Sequence, residues 1–246
     1  MSLTLFASIL ALLINQSFAC DCGQAIDYIV MDRSKGLLTR FPWYVVIENK
    51  SQKPCGASLI DDQHVAVAAH CLSGSNEASL RARLNDNSTK SISSVWIDER
   101  YNNKTGAYDF AVLTLASPVG SQFKPICLRD STRVPTPPIH LVSPKADKNV
   151  EGFPYNYLYN HPGSKCPSPA TQTHLCIMNP TKVDNTCSEG PYMGYESNAR
   201  FYLTGVTSRC FSTEMPDLFT DVSLYKKQIR ELAPKGCWKD TWDWSR

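Results

Sequence analysis

Short runs rich in Val, Ile, Phe and Tyr recur between residues 43 and 222, divided by stretches of Pro, Asn, Asp, Ser and Lys. Residues 43–48, 56–60, 64–69, 93–98, 110–115, 201–207 and 218–222 have the length and the β-branched and aromatic content of strands. Residues 135–160 are rich in Pro and Lys with little periodicity, which reads as loop plus irregular strand. One helix is expected near the end, where Ser223 caps it and Tyr225, Ile229 and Leu232 fall on one face. Many short strands, few glycines and a single terminal helix imply an all-β chain built on a closed barrel.

Hydrophobic residues are 42% and charged residues 20% of 246, the balance of a globular chain rather than a disordered or collagenous one. The 25 Lys+Arg against 23 Asp+Glu leave a formal charge of +2 with no basic run, so nothing in the charge invites nucleic acid. The apolar run at residues 3–14 is shorter than the about 20 residues of a membrane-spanning helix. With Ser17-Phe18-Ala19 behind it, it reads as a secretory signal over residues 1–19, and no membrane span is expected. Ten cysteines, all beyond residue 19, suit an oxidising, extracellular location. Cys20-Asp21-Cys22 lacks the two-residue gap of a zinc knuckle, so neither a metal nor another cofactor is expected. Sequons at Asn49, Asn87 and Asn103 are candidate glycosylation sites.

Several segments carry a resemblance. Cys55-Gly56-Ala57-Ser58-Leu59-Ile60 followed by Val65-Ala66-Val67-Ala68-Ala69-His70-Cys71 resembles the histidine segment of trypsin-like serine proteases. Phe41-Pro42-Trp43 resembles that family's first strand, Tyr108-Asp109-Phe110-Ala111-Val112-Leu113 its aspartate segment, and Lys124-Pro125-Ile126-Cys127-Leu128 its linker. Residues 201–208 and 218–223 resemble its last strands. The resemblance implies two antiparallel six-stranded β-barrels with a cleft between them and a C-terminal helix, over residues 20–234. It also implies disulfides Cys55–Cys71, Cys187–Cys210 and Cys166–Cys176. Cys127 should reach Cys22 or Cys20, leaving the other to pair with Cys237.

In the mechanism this resemblance implies, a serine attacks a peptide carbonyl, a histidine takes its proton, and a buried aspartate orients the histidine. His70 and Asp109 match the last two roles. Cys187-Ser188-Glu189-Gly190-Pro191 spans the ends of the family's nucleophile motif with three residues missing. Ser188 aligns with the nucleophile only if the deletion falls immediately before it, which removes the glycine whose N–H lines the oxyanion hole. Losing one such donor costs about 10²–10³ in rate, and a triad displaced by about 1 Å loses some 10²-fold. Three residues span up to about 10 Å of chain.

Other departures agree. Tyr28-Ile29-Val30-Met31-Asp32 lacks the basic cleavage site and the glycines of family zymogen activation. In Thr207-Ser208-Arg209-Cys210, Arg209 stands where the family has a substrate-pairing tryptophan. Leu141-Val142-Ser143-Pro144 replaces a glycine- and tryptophan-bearing run. The substrate pocket would comprise Asn185, at its floor, with Ser208 and Arg209. The resemblance therefore implies a secreted serine protease homologue without catalysis that binds a protein partner, such as a protease, an inhibitor or a receptor. Two alternatives stand beside it: a weakly active endopeptidase using Ser188, His70 and Asp109, and a carbohydrate-binding or adhesive module. The latter would use the tail at residues 235–246, where Trp238, Trp242 and Trp244 either anchor an interface or cover a barrel patch stapled by Cys237.

Overall fold

The sequence Leu-Arg-Ala-Arg-Leu at residues 80–84 alternates apolar and charged, and its backbone follows. Leu80, Ala82 and Leu84 are buried while Arg81 is exposed and Arg83 half-buried, the pattern of a strand with one wet face. The computed structural model describes residues 20–25, 41–50, 52–130, 139–141, 159–160, 166–178, 190–196, 200–211 and 215–239. Its first half holds β1 (Tyr44–Asn49), β2 (Cys55–Leu59), β3 (His64–Val67), β4 (Leu80–Leu84), β5 (Thr89–Ile97) and β6 (Ala111–Leu115). These strands form a closed antiparallel barrel in the order β1-β2-β3-β6-β5-β4. The β1–β4 pairing, Val45 opposite Leu84, closes it.

The second half contributes β7 (Leu128–Arg129), β8 (Ile139–Leu141), β9 (Tyr159–Asn160), β10 (His174–Met178), β11 (Pro191–Glu196), β12 (Arg200–Arg209), β13 (Asp217–Asp221) and β14 (Trp238–Lys239). Six of these make an antiparallel sheet in the order β8-β11-β12-β13-β10-β9. β14 pairs in parallel with β7, Trp238 opposite Leu128. A 3-10 turn, Val222–Tyr225, leads into the helix α1 (Lys226–Leu232). The described residues are thus all-β, with one closed six-stranded barrel, a second six-stranded sheet and a C-terminal helix.

Barrel and sheet share one core. Phe41, Trp43 and Phe201 meet with ring centroids 5.4 to 5.6 Å apart, and the Trp43 indole N–H donates to Met193 Sδ at 2.9 Å. Tyr225 stacks on Phe110 at 4.3 Å and so fastens the start of α1 to the barrel. Disulfides tie the ends: Cys22–Cys127 and Cys20–Cys237 resolve the pairing left open by the sequence, beside Cys55–Cys71 and Cys166–Cys176. Cys210 is also disulfide-bonded, to a partner outside the described residues, where Cys187 lies. Gly23 allows the first of these crossings. Its φ is +66°, and a Cβ there would stand 2.4 Å from the Phe201 carbonyl oxygen and 2.9 Å from Cys127 Sγ.

Some expectations need correction. Ser223 does not cap the helix: Asp221 caps the preceding 3-10 turn, accepting the Ser223 N–H at 2.9 Å. A charged carboxylate two residues earlier is a stronger acceptor for an unpaired amide than a hydroxyl. The strand expected over 64–69 stops at Val67, because the chain turns at Ala69–Leu72 into a 3-10 turn. Strands β4, β7, β10, β11 and β14 lie outside the segments expected to be strands.

Candidate active site

His70 sits in the 3-10 turn Ala69–Leu72 that follows β3. Ala68 stays extended, with φ −72° and ψ 140°, so the chain leaves the barrel and lifts the imidazole off it. The Cys55–Cys71 bond holds the turn against β2, and the Asn49 side-chain amide donates to the Cys71 carbonyl at 3.2 Å.

Asp109 precedes β6. Its neighbour Tyr108 has φ +57°, a conformation that costs a bulky residue about 1–3 kcal/mol and persists only where the surroundings enforce it. Here they do. Arg100 lies over the Tyr108 ring at 4.1 Å, itself fixed by two side-chain bonds to Asp98 at 2.9 and 2.7 Å. The Tyr108 N–H donates to Thr173 Oγ1 at 3.3 Å.

That kink delivers the Asp109 carboxylate to His70. Oδ1 accepts the His70 backbone N–H at 2.8 Å and Oδ2 accepts Nδ1–H at 2.7 Å. Ser208 Oγ donates to Oδ2 at 3.0 Å. The Asp109 side chain is 1% exposed and that of His70 27%. A buried carboxylate receiving three donors can act only as acceptor, so the proton of neutral His70 is on Nδ1 and the lone pair on Nε2. This is the arrangement in which a histidine can accept a proton from a nucleophile. Nε2 lies 3.5 Å from Cys71 Sγ.

A second histidine, unanticipated from sequence, braces the other side. His174 Nε2–H donates to the Gly106 carbonyl at 2.8 Å, while its Nδ1 accepts the Thr171 N–H at 3.0 Å. Burial lowers its pKa. Ser208 Oγ also reaches the Gly106 carbonyl, at 3.2 Å. Arg209 extends over the same loop, its Nη2 donating to the Asn103 and Lys104 carbonyls at 2.7 and 2.6 Å. Gly106 makes room: its φ is +75°, and a Cβ there would meet Ser208 Oγ at 2.7 Å and Arg209 Nε at 3.0 Å.

The structure therefore brings His70, Asp109, Ser208 and Arg209 together. Ser188 and Asn185 lie outside the described residues. Gly190 is described, and exchanges hydrogen bonds with Thr207: its N–H donates to Oγ1 at 3.2 Å and its carbonyl accepts the Thr207 N–H at 3.1 Å. Asn49 is 6% exposed, whereas Asn87 and Asn103 are exposed. Trp238 packs under Arg230 at 4.5 Å, and Trp242 and Trp244 lie outside the described residues. Among the described residues, potential metal ligands converge at Cys20, Cys22 and Cys237 and at Cys55, His70 and Cys71. The sulfurs in both groups are disulfide-bonded and offer no thiolate. No helix of the described residues is long and apolar enough to cross a membrane.

Comparison with known proteins places this geometry in a lineage. The family model described as Trypsin matches residues 33–229. The chain is 27% identical over 266 aligned positions to transmembrane protease serine 9 of Rattus norvegicus, covering 87% of this chain and 23% of that protein. It is 32% identical over 114 positions to trypsin beta of Drosophila erecta, covering 43% and 45%. To CLIP domain-containing serine protease B9 of Anopheles gambiae it is 25% identical over 265 positions, covering 85% and 64%. The chain spans less than two thirds of the length of each of these relatives. A solved structure of kallikrein-related peptidase 10 in complex with Zn2+ matches with a TM-score of 0.64 at 21% identity, covering 78% of this chain and 96% of that one, which shows a shared fold. With the family model spanning most of its length, the chain belongs to the trypsin family.

Proposed function

We propose that this chain is a secreted trypsin-family homologue that has lost proteolysis and acts by binding another protein: a protease, an inhibitor or a receptor. In this reading residues 1–19 are the signal, residues 20–234 fold as two barrels with a cleft between them, and residues 235–246 form a tryptophan-rich tail. The observation that carries it is the placement of Arg209. The guanidinium bonds to Asn103 and Lys104 across the strip beside Ser208 and Gly106, where an extended peptide would have to lie to pair with the end of β12. The shortened stretch from Cys187 to Pro191 supports the same conclusion, because Ser188 then comes without the preceding glycine and aspartate. The test is a fluorophosphonate probe on the secreted, disulfide-bonded protein. No mass addition is expected, and stoichiometric labelling at Ser188 would overturn the reading.

One observation favours a rival. The His70–Asp109–Ser208 set keeps the hydrogen bonds that orient a general base. A weakly active endopeptidase using Ser188, His70 and Asp109 would retain them for catalysis. A binding protein retains them because a buried carboxylate stripped of its donors costs about 1–3 kcal/mol per lost partner.

A further inference from the structure

The loop between Asn102 and Ala107 carries the Asn103-Lys104-Thr105 sequon at the edge of the His70–Asp109 site. We propose that Asn103 bears an N-linked glycan whose stem stands on that rim and screens the site from protein-sized molecules. The inference rests on the extracellular reading above.

The three sequons differ in what the fold does with their asparagines. Asn49 is held in β1 at 6% exposure with its amide nitrogen donating to the Cys71 carbonyl, so a sugar there would break a bond that supports the His70 turn. Asn87 is exposed in the β4–β5 hairpin, at φ +65°. Asn103 is exposed too, and its loop is built to hold still. Asn102 Oδ1 accepts the N–H groups of Lys104 and Thr105 at 2.9 and 3.2 Å, and the Gly106 N–H returns to the Asn102 carbonyl at 2.7 Å.

The position follows from a short chain of contacts. The Asn103 carbonyl touches Arg209, whose neighbour Ser208 touches Asp109, which holds His70. His174 Nε2–H grips the far end of the loop at the Gly106 carbonyl. A glycan rooted on Asn103 therefore starts from backbone fixed to the site on two sides. Its bulk and hydration fill the approach to the rim and leave small molecules free to pass.

Protein secreted from eukaryotic cells through its own N-terminal segment supplies the test. Enzymatic deglycosylation in 18O water, followed by peptide mass spectrometry, should mark Asn103 and leave Asn49 unmarked. A lysine-specific endoproteinase then serves as the protein-sized probe of the native rim. Cleavage after Lys104 should be several-fold faster in Asn103→Gln, and in natively deglycosylated wild type, than in the glycoprotein, with other cuts unchanged. Equal rates in all three would overturn the screening. A bare Asn103 in protein that has formed its disulfides and carries sugar on Asn87 would overturn the site alone. Reduced cysteines with both asparagines bare would instead sink the extracellular reading.

Discussion

Asp109 gathers three donors in a buried position, and a second histidine braces the loop beside it. His174 is a clamp whose tautomer is dictated on both sides: Nδ1 must accept from Thr171 and Nε2 must donate to Gly106. Burial is the main reason its pKa is lowered; Arg209 pushes in the same direction, against Asp109 and the Gly106 carbonyl. The unfolded chain then binds more protons than the folded one, so acid destabilises the fold. The contribution of His174 is complete above the unfolded value of about 6.5 and is lost as pH falls from there through the folded pKa. A proton added to Nδ1 would face the Thr171 N–H, which is the structural cost behind that loss. We predict that the Tm falls between about pH 7.5 and 5.5 and that His174→Gln, which keeps a donor for Gly106, falls less. Equal falls in the two proteins would contradict this role.

At the scale of elements, the site depends on two local departures from regular structure: the 3-10 turn under His70 and the left-handed Tyr108 before Asp109. The turn is the more dependent on covalent support. Cys55–Cys71 closes a separation of 16 residues, for which loop-closure entropy gives about 3 kcal/mol. Replacing both cysteines by serine should lower the unfolding free energy by about that amount in denaturant titration. A loss within experimental error of zero would mean that packing alone holds the turn. Much at this scale was legible in the sequence. His70 and Asp109 were found through their flanking residues, and six of the seven expected strands lie within two residues of observed ones; the seventh, β5, starts four residues earlier than expected. What was missed has physical causes. The strand β4 alternates plainly but contains two arginines, which masks it in a search for Val and Ile. The Tyr108 kink is invisible locally, because Arg100 and Thr173, the latter 65 residues away, enforce it.

Across the whole molecule, long-range covalent and polar ties converge on the junction between barrel and sheet. The linker strand β7 pairs with β14, Cys22 and Cys127 join the start of the described chain to the linker, and Cys20 and Cys237 join it to the tail. His174 could not be read from the sequence for the same reason: its partner Gly106 lies 68 residues earlier, and nothing beside it marks the contact. Arg209 was visible as a departure at its position, but its grip on Asn103 and Lys104 needed the fold. In the proposed function, a frame keeping His70 and Asp109, with Arg209 bonded to the adjoining loop, serves recognition rather than turnover. Turnover of a broad peptide library by the wild-type protein, beside His70→Ala and Ser188→Ala, tests this most directly. The account predicts that all three are indistinguishable from the uncatalysed background; turnover by the wild type that disappears in both variants would contradict it.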